Sequence, residues 1–162
     1  MKQVERLYGV LIAAASSLQS PFLLAVRLYW GWQFVQDGWG KLHNLAKVTD
    51  FFTTLGLPAP GLTAAFIGGL ELAGGILLAL GLGSRLIALL LTCNMLMAYV
   101  TADREALFSI FSDPDKFYAA SPYTYLFASV IVLIFGPGKI SLDAFLASRF
   151  PAEKPAGVSL GY

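Results

Sequence analysis

The chain has 162 residues, of which 57% are hydrophobic and only 13% charged, with a formal net charge of +1. A soluble domain of this length would carry roughly a quarter charged residues, so the composition points to a membrane protein. The small net charge offers no basic field for nucleic acid, and the single cysteine, Cys93, excludes an intramolecular disulfide or a C-x-x-C redox pair.

In chain order, Lys2 and Arg6 precede the apolar run Leu7–Ala15, which resembles the opening of a signal peptide. Glu5 and the later Ser20-Pro21 favour a retained interfacial helix instead. Ser20 as N-cap and Pro21 at the first helical position then predict a span over 22–42. The breaker Pro58-Ala-Pro-Gly61 introduces a second span over 62–82, and the tight Gly81–Ser84 connection a third over 85–102. The fourth and shortest span, about 120–136, is stopped by Gly136-Pro-Gly138.

Between the first two spans, Val48–Leu55 reads as a short amphipathic interfacial piece. The loop 103–121, with Phe108, Phe111, Phe117 and Tyr118, reads the same way. After the fourth span, Ser141 is placed to cap a helix with Leu142, Phe145, Leu146 and Phe150 on its apolar side. The fold class expected is an all-α, integral membrane four-helix bundle forming a single domain over 1–150, with a loose tail from Pro151.

Four spans put both termini on one side. Lys2, Arg6, Arg85, Lys139, Arg149 and Lys154 on that side outnumber Lys41, Lys47, Arg104 and Lys116 on the other. This predicts a bacterial-type cytoplasmic membrane protein with both termini cytoplasmic.

The polar residues inside the spans are the candidate site. Glu71 lies in the middle of the second span, where a carboxylate costs ~2.5–3.5 kcal/mol on insertion scales and therefore needs a partner. Arg27, Gly31, Phe34, Gly38 and Lys41 fall on one face of the first span, and Gly68, Glu71, Gly75 and Leu78 on one face of the second. Facing glycine stripes predict closely packed helices with Arg27 paired to Glu71. Depth counting brings Gln33, Glu71 and Asn94 to one level, with Arg27 reaching up to them. Glu71 is the candidate acid/base, and Arg27, Trp30, Gln33 and Asn94 the candidate ligand-binding groups. Asp37, Lys41 and His43 form a second polar group, with Asp37 and Lys41 spaced for an ion pair. Cys93 reads as a small buried hydrophobe, and no metal site is expected.

Three pieces of sequence, in order, resemble the DoxX family of small membrane proteins, which includes a subunit of thiosulfate:quinone oxidoreductase. They are Arg27, Gly31, Phe34, Gly38, Lys41 and Leu42; then Glu71, Gly74, Gly75, Leu78, Gly81 and Arg85; then Gly136, Gly138, Lys139, Ser141, Leu142 and Asp143. The resemblance implies a four-helix membrane bundle acting as an oxidoreductase or quinone-linked subunit. Its implied cofactor is a quinone, and its partners are the lipid bilayer, a redox protein and further copies of the chain. Thiol–quinone chemistry of the kind done by cysteine pairs in similar bundles is not expected of this chain alone. The alternatives are a non-catalytic scaffold or assembly subunit, and a binding protein or isomerase for a sterol- or isoprenoid-like lipid.

Overall fold

A computed structural model describes residues 2–150; the tail expected from Pro151, and Lys154 within it, lie outside the described residues. The described residues form eight helices: α1 Lys2–His43, α2 Leu45–Thr54, α3 Pro60–Leu80, α4 Ser84–Thr101, α5 Arg104–Phe108, α6 Pro114–Ala119, α7 Pro122–Phe135 and α8 Leu142–Arg149. No strand occurs among the described residues. Helices α1, α3 and α4 are long and apolar enough to cross a bilayer, and α7 is a shorter apolar helix. The bundle is built on the pairs α1–α3 and α4–α7, joined through α3–α4 and α1–α7.

Local chemistry sets most boundaries. Pro60, Pro114 and Pro122 open α3, α6 and α7, where a missing N–H costs nothing. Gly81, at φ 71°, ends α3 and returns its N–H to Leu77 and Leu78 carbonyls, while the Leu82 N–H bonds back to Leu77. That is the left-handed cap that turns a helix sharply. Ser141 caps α8 as expected, its hydroxyl accepting from the Ala144 N–H at 3.1 Å.

One boundary differs from the sequence reading. Residues 22–42 are not a separate span begun by Ser20 and Pro21, because α1 runs unbroken from Lys2 with Pro21 inside it. Ser20 is not an N-cap. Its hydroxyl accepts the Lys139 N–H at 3.1 Å and fastens the segment after α7 to α1. At ~1.5 Å per residue the whole helix is ~63 Å long, about twice the hydrocarbon thickness. Its first turns stand clear of the bundle, with Val4, Leu7, Tyr8, Val10 and Leu11 all exposed.

The bundle is inverted relative to a water-soluble domain. Leu62, Phe66, Leu86, Met97, Phe127 and Ile134 point outward, a surface that lipid covers at no cost. Inside, Phe34, Leu78, Ala88, Leu91, Met95 and Val132 form the core. Cys93 is on the outer surface; the expectation that it is buried is wrong, because an apolar span has a lipid face as well as a core face. Phe117 is buried with Tyr99 and Ala106 in a second cluster, whereas Phe108, Phe111 and Tyr118 are exposed.

Candidate functional site

Glycines bring the site together. Cβ atoms added at Gly31 and Gly75 would come within 2.8 and 2.6 Å of each other's carbonyl oxygens, and one at Gly38 within 2.6 Å of the Gly68 carbonyl oxygen. The expected stripes therefore do face each other, and α1 and α3 meet backbone to backbone. This antiparallel contact carries Lys41 past Gly68 and onto Glu71.

Glu71 is almost completely buried and is held from two sides. The Lys41 ammonium donates to its Oε2, and the Asn94 side-chain amide donates to its Oε1 at 3.0 Å. The Tyr125 hydroxyl, from α7, faces Asp37 one turn before Lys41 and lies near enough to Glu71 to feel its charge. Trp30 and Phe34 pack edge-on against the Tyr125 ring, at 5.2 and 4.8 Å between centroids.

Beside this centre is an open cleft of about 430 Å³, lined by Gln36, Asp37, Gly40, Lys41, Asn44 and Ser121 among others. It sits between the end of α1, the start of α2 and the start of α7. Lys41 is shared: its side chain is 30% exposed on the cleft side, against 2% for Glu71 behind it. The arrangement couples a buried carboxylate to water through one ammonium group.

Arg27 is not the partner of Glu71. It is fully buried further back along α1, beside the α3–α4 turn, where its Nη2 donates to the Ile140 carbonyl and it senses the Asp143 charge. Asp143 in turn accepts the Gly83 and Ser84 N–H groups at 2.8 and 2.9 Å. Burial pushes the Asp143 carboxyl up, but these amides and the Arg27 charge hold it below its usual value. Arg27 and Asp143 thus form a latch that ties the start of α8 to the α3–α4 turn.

Of the level cluster expected around Glu71, Asn94 is present and Arg27 is not. Gln33 is half-buried and forms no hydrogen bond to Glu71. In the second polar group Asp37 and Lys41 share the cleft, but the Lys41 ammonium goes to Glu71 instead of forming the expected ion pair with Asp37. His43 is outside that lining. It is exposed, with its ring 4.1 Å from the Trp39 ring and Nδ1 3.0 Å from the Trp39 carbonyl oxygen. Sequence reasoning missed Tyr125, Asn44 and Ser121, which join the site only through tertiary packing. No cluster of potential metal ligands occurs among the described residues.

These features define a small integral membrane helical bundle with a buried carboxylate reached from a polar cleft. The DoxX family profile matches residues 22–104, and the chain belongs to the DoxX family. It is similar to "Putative oxidoreductase CatD" of Bacillus subtilis (strain 168), with 28% identity over 136 residues covering 84% of this chain and 92% of the relative. No solved structure matches it significantly.

Proposed function

We propose that the chain is a quinone-linked, redox-associated membrane subunit that holds a lipophilic ligand beside Glu71. The observation that carries this reading is the Lys41–Glu71–Asn94 centre opening on a polar cleft. A buried intramembrane carboxylate is costly and is a functional feature by default. The cleft offers cationic, amide and hydroxyl donors in Lys41, Asn44, Gln36 and Ser121, and the Trp30 and Tyr125 rings flank the centre. These donors fit the two carbonyl oxygens of a quinone, whose bound form would supply two-electron, two-proton chemistry. Glu71 is the proton-handling group, Asn94 orients it, and Lys41 sets its charge. Electrons come from a partner protein, in keeping with the oxidoreductase in the name of the Bacillus relative. The distribution of Lys and Arg supports a cytoplasmic membrane location with both termini cytoplasmic, so the cleft faces outward.

Native mass spectrometry of the protein extracted gently from its membrane tests this. A co-purified quinone, lost from folded Glu71→Gln and Asn94→Ala variants, is the expected result. Retention of quinone by both variants, or a protein that never carries one and is not stabilised against heat by a short-chain quinone, refutes it.

A further inference from the structure

We infer that Glu71 exchanges its proton with water on one side of the membrane only, the side of the cleft, and that Lys41 is the relay. The inference deepens the reading of Glu71 as the proton-handling group and rests on it, but it concerns the protein without ligand.

With 2% of its side chain exposed, Glu71 is shielded from direct contact with water, whereas Lys41 touches both the carboxylate and the cleft. The groups that face Glu71 are Lys41 and Asp37 from α1, Asn94 from α4 and Tyr125 from α7. Asn94 offers an amide, which donates a hydrogen bond but does not titrate. Tyr125 faces Asp37, which lines the same cleft. Every titratable neighbour of Glu71 therefore leads toward the cleft.

The way to the opposite side is closed. Past Glu71, the Gly31–Gly75 contact leaves no room for even a methyl group. Phe34, Leu78, Ala88, Leu91 and Val132, all fully buried, fill the bundle there. The buried hydroxyls of Thr92 and Ser129 make no direct hydrogen bond to Glu71 or to the Arg27–Asp143 latch. The proton balance is simple. The Lys41 ammonium gives one proton to the Glu71 carboxylate, leaving a neutral amine beside a neutral acid, and the amine regains a proton from hydronium in the cleft. Proton release from Glu71 runs the same steps backward.

Arginine at position 41 separates relay from scaffold, because guanidinium keeps the charge and the donors but does not deprotonate in proteins. The experiment uses full-length protein in vesicles without quinone, its orientation scored by protease access to a C-terminal epitope. An acid pulse is applied to one side, and the carboxyl infrared band of Glu71, identified by its absence in Glu71→Gln, is followed in time. The expected result is a prompt response to a pulse on the cleft side, none to a pulse on the terminal side until the gradient collapses, and loss of the prompt response in Lys41→Arg. A prompt response from the terminal side, a wild-type rate in folded Lys41→Arg, or no response from either side overturns the inference. Because no quinone is present, the result stands or falls separately from the co-purification test.

Discussion

Replacing Gly38 by alanine tests the helix contact on which the site depends. The added methyl would overlap the Leu72 nitrogen and lie 2.6 Å from the Gly68 carbonyl oxygen. Both are backbone atoms of a packed helix, so no side chain can swing aside. Restoring an ordinary separation needs α1 and α3 to part by about 1 Å, which forfeits a quarter to a half of the dispersion energy of each contact along that part of the seam. Overpacking of this kind costs about 1–3 kcal/mol, and the rigidity of both partners argues for the upper end. The substitution also gains up to about 1 kcal/mol of intrinsic helix propensity, leaving a net loss of about 2 kcal/mol. Gly40 is the control: a Cβ there meets nothing within 4 Å, so Gly40→Ala should be neutral or stabilising by up to about 1 kcal/mol. Unfolding from mild-detergent micelles by titration with a denaturing detergent, read by tryptophan fluorescence, compares the two. Equal stability of Gly38→Ala and Gly40→Ala would refute the backbone-to-backbone seam.

The latch makes a prediction in which pH is the variable. Asp143→Asn loses a carboxylate that accepts two amide N–H groups and leaves the Arg27 charge uncompensated, at a cost of about 1–3 kcal/mol at neutral pH. Because the folded carboxyl titrates below its usual value of 3.8, its contribution is fully present above that value and is lost as pH falls through the lower folded value. The unfolding curves of the wild type and of Asp143→Asn should therefore converge in acid, and a gap that persists there would count against the latch. Gly81→Ala drives a methyl into the Arg27 guanidinium from a left-handed conformation, whereas Gly83→Ala is left-handed with open space around it. The first should cost about 2–4 kcal/mol and the second about 1–2 kcal/mol in the same unfolding assay. Tyr99→Phe removes the 2.9 Å hydrogen bond from the buried hydroxyl to the Phe117 carbonyl, a loss of about 1–3 kcal/mol. Hydrogen exchange should speed up in α6 and leave the α1–α3 seam unchanged; a uniform change along the chain would contradict that assignment.

The sequence was enough to read the helical membrane bundle, the glycine stripes and the need of Glu71 for a partner, because each follows from composition or helical period. It was not enough to choose between Arg27 and Lys41, and the reason is directional. Gly31 opposite Gly75 and Gly38 opposite Gly68 set an antiparallel register in which Glu71 is level with Val35. Arg27 lies about eight residues, ~12 Å, to one side of that level, and Lys41 about six residues, ~9 Å, to the other. Distance alone barely separates them. Helical side chains, however, lean toward the N-terminus of their own helix. Lys41 therefore leans back along α1 toward the level of Glu71, and Glu71 leans along α3 toward Gly68, beside which Lys41 sits. Arg27 leans the same way along its helix, which carries it away from that level, toward Ile140 and the latch. Asp37 does not capture Lys41; its carboxylate faces the Tyr125 hydroxyl instead. The stripe thus divides its two cations between two tasks. Arg27 closes the terminal end of the bundle, and Lys41 keeps the buried Glu71 carboxylate in contact with water.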